Sequence, residues 1–465
     1  MQALRWARGA GALIVLCLAF APAASAADVR FGDGGWSWFQ DPRAITHTGE
    51  HTRTYVGWVT PAGDVTVGSY DHETSERQSF VLHEALEADD HVSPALQVRP
   101  DGRLVAYYAR HSGTPFYYRV TTNPEDITSW EPARTIDTNS DGRFGYTYPN
   151  PIRLADEGRT YLFWRGGNLD PTFSTQADGE EAWAPARSLI RVPGESPAQN
   201  ERPYLKFASR GRDTVHFAYT NAHPNEAADV NVYYGRIRDG KVEEANGVFI
   251  SDLGNPIGPR EADKVFDGAG PTWIHDVAVG ADGRPVVVFA SFPAAGSATG
   301  HVYHYARWTG ERWEVNPITD AGGSISPQRS PLYSGGITLD HDDPTTVYLS
   351  REVAGLWSIE AWSTPDGGAG WTSRAITPPS ATKAFRPLSP RGDEPGEEMV
   401  VFMSGAYTTY RRFQTAVTTF VEDPLPPALP EAPAPLVGPA DQGDERPPPD
   451  RRVARIAVGA RPVLP

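Results

Sequence analysis

Short runs of β-branched and aromatic residues recur along the chain, and polar turns rich in Gly, Pro and Asp separate them. Seven of these runs share a polar start, often Gly-Arg, that leads directly into apolar residues, as in RTYVGWV and RLVAYYA. Their first residues are Arg53, Arg103, Arg159, Asp213, Arg284, Thr345 and Glu398. Runs of this length and composition, bounded by turn residues, predict β-strands rather than helices.

The spacing of these runs predicts the architecture. Consecutive runs begin 50 to 71 residues apart, which is room for about four short strands with their turns, the content of one propeller blade. Seven such units predict an all-β fold, a seven-bladed β-propeller of four-stranded antiparallel blades, in which each recurring run is the second strand of its blade. A pair of β-sandwiches or a β-helix is the alternative that evenly spaced strands leave open.

One turn motif supports the propeller. The stretch TPDGGAGW, residues 364–371, fits the Asp-box form S/T-x-D-x-G-x-x-W. In such a turn the Asp side chain accepts backbone N–H bonds and Gly supplies positive φ. The motif is structural, so it bears on the fold and not on the chemistry.

The two ends of the chain differ from the middle in composition. Residues 1–26 predict a signal peptide, because basic residues precede an apolar run that ends in a small-residue cleavage site. Residues 27–422 are predicted to form the propeller catalytic domain, and the Pro-rich residues 423–465 a disordered tail. Cys17, the one cysteine of the sequence, lies in the predicted signal, so a cysteine-ligated metal site is excluded. We expect a secreted or periplasmic protein without a membrane-spanning segment.

The charge balance restricts the partners. The chain has 42 Lys and Arg against 58 Asp and Glu, a formal net charge of −16, which disfavours nucleic acid. An anionic polysaccharide remains compatible if positive charge is concentrated locally. We expect a monomer that needs no cofactor or metal.

The stretch EADDHVSPALQVRPDGRLVAYYARH, residues 87–111, indicates where a site would lie. His91 precedes a predicted first strand and His111 follows the second, so antiparallel pairing brings both imidazoles to one mouth of the channel. Tyr148 stands three residues before a proline, as His91 does, and so takes the equivalent position in the next blade. The same rule places further polar residues at this mouth: Asp41, Arg43, Arg165, Arg202, Tyr204, His223, His275, Arg351 and Arg386.

This set of residues suits β-elimination from a uronic acid. The C5 proton is only weakly acidic, so the reaction needs a cation on the carboxylate, a base at C5 and an acid for the departing O4. Arg165 can bind a carboxylate through two N–H groups, and His91 and Tyr148 can transfer protons. Each residue alone is more often structural, and it is the convergence from separate blades that favours a site.

A resemblance to a known family rests on four stretches: GGWSWFQDPRA, DDHVSPALQVRPDGRLVAYYARH, YTYPNPIRL followed by YLFWRGGN, and ERPYLKF. They resemble the BNR-repeat propeller family that contains the ulvan lyases, over about residues 34–410. The resemblance implies cleavage of rhamnose–uronate linkages in a sulfated algal polysaccharide, with an unsaturated uronate left at the new end. It implies His91 and Tyr148 as base and acid, Arg165 as the carboxylate neutraliser, and His111 and Tyr204 as supporting residues. We also expect substrate contacts from Arg202, Arg351 and Asn168.

The resemblance leaves alternatives open. Some ulvan lyases carry a structural zinc held partly by cysteine, but the mature chain would have no cysteine and the loop from Arg165 to Asn168 has no histidine nearby, so zinc is not predicted. The same propeller family includes lyases that act on rhamnose–glucuronate caps of plant gums and α-L-rhamnosidases, and the fold does not choose among them. A hydrolase of the rhamnosidase type and a non-catalytic carbohydrate-binding propeller are the alternatives.

Overall fold

The computed structural model describes residues 27–193, 201–268, 270–293, 296–392 and 398–422. The predicted signal peptide and the predicted Pro-rich tail lie outside these residues. Within them the strands form seven sheets, and two short 3-10 helices span Asp90–Val92 and Gly167–Leu169. No helix in this part of the chain is long and apolar enough to cross a membrane.

Each sheet is one blade, and the strands follow one another in chain order. Strand β1 (Ala27–Asp33) precedes the first blade. Blade 1 contains β2 (Ala44–Thr48), β3 (Thr52–Val59), β4 (Val65–Asp71) and β5 (Arg77–His83). Blade 2 contains β6 (Ala95–Val98), β7 (Leu104–Ala109), β8 (Phe116–Val120) and β9 (Arg134–Ile136). Blade 3 contains β10 (Thr147–Leu154), β11 (Arg159–Arg165), β12 (Pro171–Ala177) and β13 (Arg187–Ser188).

The remaining blades continue in the same way. Blade 4 contains β14 (Tyr204–Ala208), β15 (Thr214–Thr220), β16 (Val232–Arg238), β17 (Lys241–Glu243), β18 (Phe249–Asp252) and β19 (Asp263–Phe266). Blade 5 contains β20 (Thr272–Val279), β21 (Pro285–Ser291), β22 (His301–Trp308) and β23 (Trp313–Gly322). Blade 6 contains β24 (Ile337–Leu339), β25 (Thr346–Val353), β26 (Leu356–Ser363) and β27 (Thr372–Ala375). The last strands are β28 (Ala384–Leu388), β29 (Arg391–Gly392), β30 (Glu398–Thr409) and β31 (Arg412–Glu422).

The seven-bladed prediction is confirmed, and so is the register of the recurring runs. They form β3, β7, β11, β15, β21, β25 and β30, and each is the second of the antiparallel strands of its blade, counted outward from the channel. Two blades exceed four strands in the described residues. Blade 4 has two extra strands, because its unit is the longest of the seven, and β29 pairs in parallel with β2 at the edge of blade 1.

The first strand of the chain closes the ring. Blade 7 consists of β28, β30 and β31 with β1 as its outermost strand. The β1–β31 pairing is antiparallel and runs from Ala27 opposite Val421 to Asp33 opposite Ala416. Because β1 covers the outer edge of β31, the last blade is tied to the start of the chain, as ring closure in a propeller requires.

The segment between β1 and β2 crosses the central channel. Trp36 and Phe39 are almost fully buried there. The backbone of this segment is hydrogen-bonded to residues from four blades, at Asp90, Asn150, Lys206 and Arg386. The channel is therefore filled below its mouth, and the segment forms the floor of any site above it.

This crossing changes the position of two residues predicted at the mouth. Asp41 and Arg43 are buried in the channel, where Arg43 donates to Asp41 Oδ1 (3.0 Å) and to Ser37 O (2.6 Å). Lys206 also pairs with Asp41. The rule that strand starts lie at the mouth fails for these two residues, because the chain enters β2 from inside the channel.

Candidate active site

A cavity of about 490 Å³ opens at the mouth where the innermost strands begin. Ser37, Trp38 and Phe39 form its floor, and blades 2 to 7 supply its walls. The polar and aromatic wall residues include His91, His111, Tyr148, Arg165, Arg202, Tyr204, His223, Asn225, Glu226, Trp273, Arg329, Tyr333, Tyr407 and Tyr410.

Two stacked imidazoles share one carboxylate on the blade 2 side. Asp89 caps the 3-10 helix Asp90–Val92 by accepting a bond from the backbone N–H of His91. Its Oδ1 is 2.6 Å from His91 Nδ1, and its Oδ2 is 3.0 Å from His111 Nδ1. The two rings are nearly parallel, with centroids 3.8 Å apart. Since both Nδ1 atoms are held by Asp89, the Nε2 atoms are the ring nitrogens available to the cavity.

The environment gives the two imidazoles opposite protonation preferences. Burial favours the neutral form of His91, but the charges of Asp89 and Asp90 outweigh it and raise the pKa of His91. Burial and the charge of His91 together lower the pKa of His111 to about 4. The pair therefore carries its positive charge on His91, while His111 stays neutral.

Asp90 connects the site to blade 7. Its Oδ2 accepts bonds from Arg386 Nη1 (2.7 Å) and from the Tyr407 hydroxyl (2.8 Å). Arg386 is fully buried and lies 3.8 Å from the centroid of a Trp38 ring. Burial opposes ionisation of Asp90, but Arg386 and His91 keep its pKa below the usual value. Arg386, predicted at the mouth, thus lies beneath the site, where it forms an ion pair with Asp90.

Tyr148 and Arg165 lie beside this cluster on blade 3. Tyr148 is the second residue of β10 and has a positive φ of 62°, and its ring centroid is 5.3 Å from that of His91. The Arg165 guanidinium lies 4.6 Å from the centroid of the Tyr148 ring, and its Nη1 donates a long bond to the Tyr204 hydroxyl (3.4 Å). Within the described residues Arg165 pairs with no carboxylate, and its buried Nε has no partner. Its charge is available to an anion.

Burial also sets the state of the Tyr148 phenol. It raises the pKa of Tyr148 well above the ordinary tyrosine value, although the nearby Arg165 acts in the opposite direction. The phenol is therefore neutral over the physiological range and can donate its proton.

The blade 4 wall adds a second arginine. Arg202 Nη2 donates to Glu226 Oε1 (2.6 Å), and its guanidinium lies 5.2 Å from the centroid of the Tyr204 ring. His223 accepts a bond at Nδ1 from the backbone N–H of Asn225, so its Nε2 carries the proton toward the Tyr333 hydroxyl (3.2 Å). Burial and the charges of Arg202 and Arg165 hold the pKa of His223 well below its usual value.

The β30–β31 hairpin reaches the histidine pair from blade 7. The Tyr410 ring is nearly perpendicular to both imidazoles, with its centroid 5.1 Å from that of His91 and 5.5 Å from that of His111. The Tyr410 carbonyl accepts the N–H of Asp90 (2.8 Å), and Arg411 Nε donates to Asp89 Oδ2 (3.2 Å). The hairpin tip thereby joins the last blade to the second across the mouth.

The histidine pair could also hold a metal ion. Asp89, His91 and His111 each offer a ligand atom, and these atoms lie within 4.8 Å of one another. Both oxygens of Asp89, however, already accept hydrogen bonds from the imidazoles, and Arg411 adds a positive charge beside Oδ2. This arrangement satisfies the cluster by hydrogen bonds and disfavours a further cation.

Comparison with known proteins identifies the family. The model of the BNR repeat-containing family matches residues 53–321, more than half of the chain. The chain belongs to this family.

Relatives and solved structures of similar fold carry lyase names. The ulvan lyase of Nonlabens ulvanivorans is 24% identical over 390 residues, which cover 73% of this chain and 78% of that protein. An ulvan lyase of Pseudoalteromonas sp. (strain PLSV) is 22% identical over 364 residues, covering 68% and 70% of the two chains. A solved ulvan lyase structure with bound -[GlcA(1-4)Rha3S]- matches with a TM-score of 0.65 at 16% identity, over 85% of this chain and 96% of that one.

Six of the eight predicted site residues converge on the cavity. They are His91, His111, Tyr148, Arg165, Arg202 and Tyr204. Arg351 and Asn168 are not among the cavity's wall residues. Arg351 Nε donates to Asp320 O in blade 5 (3.0 Å), and Asn168 has a positive φ of 53° in a loop that packs against Gly142. His275, also placed at the mouth from sequence, is buried in the channel wall against Ser334.

Sequence reasoning missed the contribution of the β30–β31 hairpin and of the loop before β24. Tyr407 lies near the end of β30, the second strand of blade 7, and Tyr410 and Arg411 directly follow that strand. The rule that found His111 and Arg165 would therefore also have found them if applied to that blade. Arg329 and Tyr333 lie in an irregular loop between blades 5 and 6, and no local pattern marks that loop as part of the mouth.

Proposed function

We propose that the protein is a polysaccharide lyase that cleaves rhamnose–uronate linkages in an ulvan-like anionic polysaccharide by β-elimination. The relatives named ulvan lyases support this reaction, and the arrangement of the cavity supports it independently. The product carries an unsaturated uronate at its new non-reducing end.

The position of Arg165 is the observation that carries the proposal. Its guanidinium lies against the aromatic faces of Tyr148 and Tyr204 with no carboxylate partner in the described residues. A uronate carboxylate bound there would place its sugar beside His91 and Tyr148. A cation on the carboxylate stabilises the negative charge that develops when C5 loses its proton.

His91 and Tyr148 then divide the proton transfers. Nε2 of neutral His91 removes the C5 proton, the electron pair forms the C4–C5 double bond, and the C4–O4 bond breaks. Tyr148, whose phenol is neutral, donates its proton to O4 as it departs. Asp89 orients His91 by holding Nδ1 and stabilises the imidazolium that forms. His111 packs on this ring, and Tyr204 and Arg202 complete the wall that receives the sugar.

The acidic residues of the cavity disfavour a hydrolase. Glycoside hydrolysis ordinarily uses two carboxyl groups on either side of the scissile bond. The acidic residues in the described cavity wall are Asp90 and Glu226. Asp90 accepts hydrogen bonds from Arg386 and Tyr407, and Glu226 accepts one from Arg202. The two carboxyl groups are therefore not arranged as the acid and base of a hydrolase.

The test is to incubate the purified protein with ulvan and with gum arabic and to follow ultraviolet absorbance of the conjugated double bond. An increase in absorbance together with new reducing ends is the expected result for ulvan. New reducing ends without the chromophore would instead identify a hydrolase. Binding of ulvan with neither signal would identify a carbohydrate-binding propeller.

We also propose that the protein is exported, on the basis of the signal predicted in residues 1–26. N-terminal sequencing of the protein recovered from the periplasm or medium should begin near Ala27. Recovery only from cytoplasm, with Met1 retained, would overturn this.

A further inference from the structure

Arg329 stands at the rim of the cavity opposite the histidine pair. It lies in the loop between β23 and β24, and its side chain is exposed and forms part of the cavity wall. In the part of the chain that the structure describes, its guanidinium has no hydrogen bond and no ion pair. The proposed elimination does not use this charge, which leaves its role open.

The loop that carries Arg329 is held in place at several points. The backbone N–H of Arg329 donates to Ser326 O (3.1 Å), and Ser326 Oγ donates to Thr408 O in blade 7 (2.6 Å). On the other side, the N–H of Leu332 donates to Asn225 Oδ1 in blade 4 (3.4 Å). These contacts hold the backbone of the loop at the cavity, while the Arg329 side chain remains unpaired in the described residues.

Arg202 and Asn225 line the same cavity, and Asn225 contacts the loop that carries Arg329. Arg202 uses Nη2 for Glu226, while its buried Nε has no partner in the described residues. Asn225 accepts a bond at Oδ1, and its Nδ2 donates to no other group in the part of the chain that the structure describes. Glu226 is the acidic group on this side of the cavity and is paired to Arg202. Two guanidinium groups and an amide thus line the cavity that also contains this neutralised carboxylate.

We propose that Arg329, with Arg202 and Asn225, forms a second anion subsite that binds a charged group on a sugar next to the one being cleaved. The proposal rests on the proposed function, because it assumes that Arg165 binds the uronate at the cleavage point. The ligand is a sulfate ester or a further uronate carboxylate, which both accept charge-assisted hydrogen bonds from arginine. A polymer lying across the mouth would contact Arg165 on blade 3 and this subsite on blades 4 to 6.

The test compares wild type with Arg329→Ala on ulvan oligosaccharides before and after chemical desulfation. We expect Arg329→Ala to raise KM for the sulfated oligosaccharide roughly tenfold, in line with loss of a hydrogen bond to a charged group, with little change in kcat. Arg212→Ala is the matched control, since Arg212 is an exposed arginine outside the cavity. If desulfation abolishes the difference between wild type and Arg329→Ala, the ligand is sulfate. If the difference persists, the ligand is a carboxylate.

Calorimetric binding of the same oligosaccharides separates this subsite from the lyase reaction. Weaker binding to Arg329→Ala supports the subsite even if no double bond is formed by wild type, in which case only the proposed reaction fails. Equal KM and equal binding for wild type and Arg329→Ala, with elimination intact, would overturn the subsite. A fall in kcat at unchanged KM would also overturn it, because Arg329 would then act on the reaction itself.

Discussion

The stacked imidazoles of His91 and His111 differ in protonation although they share one carboxylate. The two negative charges of Asp89 and Asp90 act on His91, whereas burial and the neighbouring cation dominate at His111. A base must be neutral to accept the C5 proton. The protonation of His91 therefore controls the proposed reaction, and the two histidines can be told apart by their pH dependence.

For wild-type protein we expect kcat/KM to rise with pH through the raised pKa of His91, because only the neutral imidazole accepts a proton. The midpoint of this acidic limb should lie above 6.5, the ordinary histidine value. Tyr148, with its pKa raised, stays protonated over the same range and contributes no fall in rate there. Initial rates on ulvan from pH 4 to 10 measure the profile. A midpoint near 4 would assign the base to His111.

Removal of the Tyr148 hydroxyl tests its proposed role as the general acid. We expect Tyr148→Phe to fold normally, because the ring that packs on Arg165 is retained, and to lose about a hundredfold or more in kcat. His91→Ala should lose a similar amount, and the double variant should be little worse than the worse single one, since both groups serve one concerted path. His83→Ala, outside the cavity, is the control. Near-normal turnover by folded Tyr148→Phe would exclude the phenol as the acid.

Chelation tests whether Asp89, His91 and His111 bind a metal ion. Dialysis against EDTA should leave lyase activity and melting temperature unchanged, because hydrogen bonds from His91 and His111 already satisfy the oxygens of Asp89. Activity and thermal melting are measured before and after dialysis, with zinc or calcium added back. Loss of activity that either ion restores would show that the cluster binds a metal.

At the scale of the element, the β30–β31 hairpin positions two side chains beside the histidine pair. Its two strands run for 12 and 11 residues, whereas the neighbouring β28 has only five. The extra length carries Tyr410 and Arg411 beyond the blade to the histidine pair. An element of the last blade therefore contacts the histidine pair, which is itself carried by blade 2.

Arg411 should act through Asp89. Its positive charge beside Oδ2 weakens the field of that carboxylate at His91, so Arg411→Ala should raise the pKa of His91 further and move the acidic limb of the rate profile to higher pH. The shift should be roughly half a pH unit, as for an exposed ion pair, and Arg411→Lys should restore most of the profile. Arg412→Ala, at the adjacent exposed position, is the control. A uniform fall in rate at every pH would indicate a merely structural role.

At the scale of the whole molecule, closure of the ring decides stability. The described strand β1 pairs along β31 and covers the edge of blade 7. Without it, blade 7 would keep three strands and expose the backbone N–H and C=O groups of β31 to other chains. The seventh blade also supplies Arg386 and Tyr407 to Asp90, so closure supports the site as well as the fold.

A chain that begins at Gly34 should therefore melt more than about 5 °C below the chain that begins at Ala27, and should aggregate more readily. Thermal melting and light scattering measure both effects. The comparison is a chain that ends at Glu422, whose removed tail lacks the periodic apolar pattern of a core segment and should leave the melting temperature unchanged. Equal stability of the chain that begins at Gly34 would show that three strands suffice for blade 7.

The sequence by itself determined the blade count, the second strand of every blade, and the convergence of six of the eight predicted site residues on the cavity. Strand period and turn composition are local properties, and strands that alternate in direction bring equivalent positions to one mouth. His91 and His111 could be placed together for that reason alone.

Only the tertiary structure decided how the charges of the mouth are distributed. Asp41 and Arg43 lie inside the channel, and Arg386 is engaged by Asp90, because the segment between β1 and β2 folds down through the centre of the ring. Arg329 reaches the cavity from an irregular loop, and Arg411 reaches Asp89 from a long hairpin. Which arginines remain available to an anion depends on partners far away in the chain, as Asp90 is 296 residues from Arg386, and no local pattern encodes such pairings.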